Sequence, residues 1–273
     1  MKRILLKVLT GVIFMAFLLF CHTASVDAAR YTKTLNENIR ISPPGVIVST
    51  WSNIPKFKKG TVVILNEYGE VLEGILAETI SLPYETGTSQ DSIRSASYTP
   101  VPFYVYTNTV KEPTNRDLPF KGGTKVTFND KGEVIKGIIS GSNKSIDLNQ
   151  ANHILVSDGE ISFHKNGMLA TCTLSSDSYL RPVGWLQILT ENYTDNSACP
   201  GFVEFKAGKA IVLNEKGEVV NGTLNKDTKL LTVPSVLRPD SSGIKVYEAG
   251  TTVEFDDKGI VVKASKSSTS AVN

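Results

Sequence analysis

Four stretches of the chain repeat one pattern of apolar and polar positions. Phe57 opens FKKGTVVILNEYGEVLEGIL, Phe120 opens FKGGTKVTFNDKGEVIKGII, Phe205 opens FKAGKAIVLNEKGEVVNGTL, and Tyr247 opens YEAGTTVEFDDKGIVVK. Apolar positions recur at a period of two, as in Val126-x-Phe128 and Val253-x-Phe255, which predicts half-buried strands. Between the strands stands Asn-Glu-Tyr-Gly, Asn-Asp-Lys-Gly, Asn-Glu-Lys-Gly or Asp-Asp-Lys-Gly. Asn or Asp in the first place bonds the backbone ahead, and Gly in the fourth takes the positive φ of a bulged three-residue hairpin loop. Each copy therefore predicts a hairpin, with Gly69, Gly132, Gly217 and Gly259 as its structural turn residue. An eroded copy, GEISFHKNGMLATCTL from Gly159 to Leu174, keeps the turn at Gly167.

Two further glycines mark the clear copies. One lies three residues after the opening aromatic (Gly60, Gly123, Gly208, Gly250), and another interrupts the return strand (Gly74, Gly137, Gly222), where the eroded copy has Cys172. A glycine inside a strand marks a bulge or the close approach of a neighbouring backbone. The tails also align: Leu174-Ser-Ser-Asp-Ser-Tyr-Leu180 matches Leu224-Asn-Lys-Asp-Thr-Lys-Leu230, with Asp177 against Asp227. Such a tail reads as a third short strand or turn handing the chain on. Successive turn glycines are 63, 35, 50 and 42 residues apart. Uneven insertion of this kind suits an array in which each unit touches mainly its neighbours.

The predicted fold is all-β, with little helix: stacked hairpin repeats in a single-layer sheet or solenoid-like array. Its layout is a leader (1–28), an N-terminal cap (29–56), repeat 1 (57–82), an insert (83–119), repeat 2 (120–148) and a degenerate repeat 3 (154–182). A second insert (183–204), repeat 4 (205–233), repeat 5 (247–263) and a flexible tail (264–273) follow. The first insert is rich in Ser, Thr and Pro and holds one strand-like run, Val101-Pro-Phe-Tyr-Val-Tyr.

The combination of aromatic-x-x-Gly, strand, Asn-x-x-Gly turn, strand and Gly-x-Leu resembles the degenerate MORN-type hairpin repeats of bacterial envelope proteins, over most of residues 57–263. The usual Tyr-x-Gly-x-Trp element is absent. Choline-binding wall repeats are a fainter likeness, since Gly184-Trp185 occurs once here and not in every unit. Neither family is defined by an enzyme activity, and the resemblance implies a binding or spacing module.

The address comes from the N-terminus. Lys2, Arg3 and Lys7 precede an apolar stretch from Val8 to Phe20, and small residues at Val26 and Ala28 place a cut after Ala28. This is the pattern of a cleaved Sec-type signal peptide, and the stretch is shorter than the roughly 20 residues of a spanning helix. The expected location is secreted, periplasmic or cell-surface, with no transmembrane segment once the leader is gone. Removing the leader leaves 26 basic and 26 acidic residues, so no basic field exists to bind nucleic acid. Two cysteines remain, Cys172 and Cys199, and an even count in an exported chain predicts one disulfide. Two isolated cysteines cannot supply a tetrahedral metal site.

Chemistry is sparse by comparison. There is no Gly-x-Ser-x-Gly elbow, and His153 and His164 sit in or beside the eroded hairpin, His164 at a turn expected to face solvent. The carboxylates Glu67, Asp130, Glu215 and Asp257 recur at hairpin tips, which is the pattern of solvated turns and not of two acids facing across a cleft. No catalytic residue, cofactor or metal is assigned. Aromatic residues outside the repeat's core positions, Trp51, Tyr104, Tyr106, Trp185 and Tyr193, are the binding candidates, since such rings stack on sugars or anchor partners. The expected partner is a cell-wall polysaccharide or an envelope protein. The favoured function is a non-catalytic binding or scaffolding module of the bacterial envelope. The alternative is a secreted hydrolase whose site is assembled from the inserts.

Overall fold

A computed structural model describes residues 30–45, 54–84, 117–149, 152–186, 201–232 and 243–266. The alternation of apolar and polar residues becomes strand after strand. In chain order these are β1 (Tyr31–Thr34), β2 (Ile39–Arg40), β3 (Lys56–Phe57), β4 (Val62–Leu65), β5 (Val71–Ile75), β6 (Ile80–Pro83) and β7 (Asp117–Phe120). Then come β8 (Lys125–Phe128), β9 (Val134–Ile139), β10 (Lys144–Asn149), β11 (Asn152–Val156), β12 (Gly159–Phe163), β13 (Leu169–Thr173) and β14 (Ser178–Leu180). The last are β15 (Val203–Phe205), β16 (Ala210–Leu213), β17 (Val219–Thr223), β18 (Thr228–Leu231), β19 (Ile244–Tyr247), β20 (Thr251–Phe255) and β21 (Val261–Lys266).

The five hairpins β4–β5, β8–β9, β12–β13, β16–β17 and β20–β21 lie side by side behind β1 in one antiparallel sheet. Its order is β1-β4-β5-β8-β9-β12-β13-β16-β17-β20-β21, and β6 and β7 join it to make 13 strands. It does not close, because β1 and β21 each have one paired side. Among the described residues, helix is limited to Trp185 and Leu186.

Before each hairpin the chain makes a second kind of unit, a two-stranded ribbon: β2–β3, β6–β7, β10–β11, β14–β15 and β18–β19. The matching tails seen in the sequence are the first strands of these ribbons. The ribbons cover the apolar side of the sheet. Leu82, Leu118, Leu180, Val203 and Leu230 of the ribbons are buried together with Val63, Val126, Ile161, Ile211 and Val253 of the hairpins. The opposite side carries Glu73, Lys125, Lys136 and Glu160, where Lys125 meets Glu73 at 2.6 Å and Lys136 meets Glu160 at 2.9 Å. Exposed pairs like these contribute at most about 1 kcal/mol each, so the buried apolar layer is what holds the array together.

The joint between units repeats bond for bond. Gly60, Gly123, Gly208 and Gly250 donate their N–H to the carbonyls of Leu35, Leu76, Leu174 and Leu224 respectively, at 2.7–2.8 Å. Three residues after each leucine, a polar side chain accepts a backbone N–H of the next unit: Asn38 from Lys59, Thr79 from Gly122, Asp177 from Ala207 and Asp227 from Ala249. In the eroded unit the bond is reversed, with Asp158 accepting from Gly141. The series begins at Leu35, so residues 31–38 form the closing half of a repeat. This stretch lies within the predicted N-terminal cap (29–56).

The return-strand glycines meet something other than a backbone. A β-carbon on Gly74, Gly137 or Gly222 would lie 2.6 or 2.7 Å from a ring carbon of Phe57, Phe120 or Phe205. The opening aromatic of each copy therefore occupies the space its own third glycine leaves. The bulge lies just before that glycine, where the register slips between Leu65–Val71 and Ile64–Glu73, and likewise in every hairpin.

Candidate binding edge

The hairpin tips are built alike because the turn sequence is alike. Asn66 Oδ1 accepts the N–H groups of Tyr68 and Glu70 at 3.0 and 2.9 Å, and its Nδ2 donates to Glu70 Oε2 at 2.7 Å. Asn129 and Asn214 make the same three bonds with residues 131/133 and 216/218, and Asp256 makes the two backbone bonds. Gly69, Gly132, Gly167, Gly217 and Gly259 have φ between 77° and 81°. That left-handed conformation favours glycine because it has no β-carbon.

The eroded tip is attached sideways. His164 occupies the place of the turn asparagine, and its Nε2 lies 2.9 Å from the carbonyl of Leu213 in the next hairpin. The carbonyl only accepts, so Nε2 carries the proton. Asn166 donates to the Glu215 carbonyl at 2.7 Å. His164 is half-buried and bridges two tips, contrary to the solvent-facing turn residue expected of it.

The ribbons end at these tips. The carbonyls of Ser42 and Arg181 accept the N–H of Val71 and Val219, the first residues of two return strands, at 3.0 and 2.8 Å. Tyr84, Pro182 and Thr232 form parallel bridges to Val134, Val219 and Val261. Gly45 approaches the backbone of Asp130 and Lys131, and Gly184 that of Lys258 and Gly259. The connections within the ribbons, residues 46–53, 85–116, 150–151, 187–200 and 233–242, thus follow strands that run to one edge of the sheet, where the tips also stand.

Of the aromatic candidates, Trp185 is described. The Arg181 guanidinium lies 4.2 Å from its ring centroid and 5.0 Å from that of Phe202, a contact that engages one face of the indole. Trp51, Tyr104, Tyr106 and Tyr193 lie outside the described residues, as does Cys199. Cys172 carries a free, buried thiol whose pKa burial pushes up to about 12. Such a thiol stays protonated and is a poor nucleophile at neutral pH.

The sequence reading missed one residue of this edge. Tyr68 sits at the tip of the first hairpin, 79% exposed, beside a cavity of about 260 Å³ lined by Arg30, Pro44, Gly45, Asn66, Glu67, Glu70, Leu72 and Asp130. Its hydroxyl bonds Glu67, and that bond, with the carboxylate's charge, raises the phenol pKa. The signal was present in the alignment: the equivalent places hold Lys131, Lys216 and Lys258. Among the described residues no group of His, Cys, Asp and Glu is arranged to hold a metal ion, and no helix is long and apolar enough to cross a membrane. No protein-family model, curated protein or solved structure matches this chain.

Proposed function

We propose that the chain is a secreted, non-catalytic binding or scaffolding module of the bacterial cell envelope. One observation carries this reading. Four closely matching hairpins and an eroded one share a single frame, while every connection of unequal length follows a ribbon strand ending at the same edge. Insertion of unequal segments between the units of a regular array is a usual way to vary a recognition surface. The leader-like first 28 residues and the resemblance to MORN-type repeats support the envelope as its place. Retention of the mature chain on insoluble wall or glycan is the direct test. The expected result is co-sedimentation that is lost when residues 85–116 are replaced by a short Gly/Ser linker. Absence of retention on every envelope fraction, or turnover of a glycan by the mature protein, overturns the reading.

A further inference from the structure

We propose that the cavity beside the first hairpin tip binds a cationic amino sugar, with Tyr68 as the platform on which the sugar ring rests. This deepens the binding-module reading and rests on it for the ligand being a glycan. Three observations converge on the site.

The first is a departure from the repeat. The third place of the turn is Lys in the second, fourth and fifth hairpins and Tyr68 in the first. Nothing in the turn requires the ring, because the tip is held through the backbone N–H of residue 68, as it is through Lys131, Lys216 and Lys258. A phenol ring left 79% exposed gains little of the burial that usually stabilises an aromatic. Its plane is free to stack on an apolar sugar face.

The second observation is charge. One cation, Arg30, and three carboxylates, Glu67, Glu70 and Asp130, line the cavity. The exchange of Lys for Tyr removes the cation that the sister tips place beside their own acids. The same exchange adds a π face, which attracts an ammonium group. Both changes favour a ligand carrying positive charge and disfavour uronic acids or phosphodiesters.

The third is shape. The cavity of about 260 Å³ is lined both by the apolar Pro44, Gly45 and Leu72 and by the carboxylates of Glu67 and Asp130. One ring with several hydroxyls matches this division, because carboxylates accept hydrogen bonds from hydroxyl and ammonium donors alike.

Calorimetric titration of the mature chain with a glucosamine hexamer, an N-acetylglucosamine hexamer and a galacturonic acid hexamer tests the proposal. The glucosamine hexamer is expected to bind, with affinity falling as salt rises, and to bind more tightly than the other two. Tyr68→Lys restores the residue of the sister tips, so its melting temperature should match the parent. It should weaken the glucosamine hexamer about two- to fivefold, the scale of a lost cation–π contact at an exposed site. Tyr68→Phe should retain most of the affinity, and Glu67→Gln should reduce it. No binding, equal binding of the three hexamers, a preference for the N-acetyl form, or undiminished binding by Tyr68→Lys overturns the assignment. Wall retention separates the two readings. If it survives Tyr68→Lys while hexamer binding is absent, this site fails and the module stands. If the hexamer binds and nothing is retained on the wall, the module fails alone.

Discussion

The ring of Phe205 fills the place where Gly222 lacks a side chain: its Cδ1 stands 2.6 Å from the position a β-carbon there would take. Phe57 with Gly74 and Phe120 with Gly137 repeat the relationship. In the eroded unit the bridge Val156↔Leu174 corresponds to Phe205↔Leu224, and Ser157 donates to Thr173 as Lys206 does to Thr223. Val156 therefore stands in the phenylalanine's place, and Cys172 in the glycine's. A large and a small residue have been exchanged for two of middle size, both buried. Volume at the joint is conserved across the pair, which is the substitution that cores tolerate best.

The pair can be tested as a unit. Val156→Phe alone overfills the joint and Cys172→Gly alone empties it, so each is expected to cost about 1–3 kcal/mol. The double variant restores the pairing of the other copies and should cost clearly less than the sum. Additive costs in urea denaturation would show that the two positions do not share one space.

The turn glycines are alike in backbone and unlike in surroundings. A β-carbon on Gly69 would meet the Tyr31 hydroxyl at 3.5 Å, an ordinary contact, whereas one on Gly259 would lie 2.6 Å from the Val183 carbonyl. Asparagine tolerates the left-handed conformation. Gly69→Asn should therefore cost no more than about 1 kcal/mol, and Gly259→Asn about 1–3 kcal/mol more, because a backbone carbonyl cannot step aside. Thermal melts of the two variants measure the difference. Gly217→Val should be costly for conformation alone, while Lys216→Ala beside it should change little.

The side-chain bonds at the joints predict unequal costs. Asp227 accepts one bond, from Ala249. Asp177 accepts from Ala207 at 2.7 Å and from Asn225 Nδ2 at 2.9 Å. At about 1 kcal/mol for each intramolecular bond, Asp177→Ala should destabilise roughly twice as much as Asp227→Ala. Equal midpoints for the two variants in denaturant would remove the claim.

Why the hairpins were legible and the ribbons less so has a physical cause. Turn chemistry is local: Asn66 bonds its own neighbours, so the residues that make the bond stand together in the sequence. The joints are not local. Asn38 reaches Lys59 and Thr79 reaches Gly122 across 21 and 43 residues, and three residue types serve one role, so only Asp177 against Asp227 was visible. For the third glycines the sequence offers a bulge or a neighbouring backbone, because it does not say that the aromatic 17 residues earlier folds back over them. The Tyr68 site was missed for another reason. A tyrosine in a turn of charged residues reads as a solvated tip until the cavity beside it is seen.

The open ends of the sheet carry lysine where inner strands carry small or apolar residues. Lys33 pairs with Val63 as Gly74 pairs with Val126, and Lys266 falls in the place of Leu224 and is bonded to Glu248. A lysine on an edge discourages another chain from adding a strand. The double variant Lys33→Gly, Lys266→Leu should self-associate more strongly than the parent in sedimentation velocity. An unchanged distribution at high protein concentration would show that these residues do not guard the edges.

Cys172 gives a pH dependence whose sign is fixed by burial. The ordinary thiol value of 9.0 is raised to about 12 in the folded chain, so the unfolded chain loses its proton first. The stabilising effect is complete below about pH 9 and declines as pH rises from 9 towards 12, by up to about 4 kcal/mol for three units. Lysines and tyrosines titrate in the same range, so the quantity to measure is the difference in stability between the reduced parent and Cys172→Ala. That difference should shift against the parent above pH 9 and be flat below it. In the folded, reduced chain, alkylation of Cys172 at neutral pH should be slow and should become fast in denaturant. A disulfide between Cys172 and Cys199 would remove the titrating group altogether. The unreduced protein would then show no such pH term and no alkylated thiol at either position. Mass spectrometry of unreduced peptides decides between the two states, and two free thiols there would dismiss the pairing.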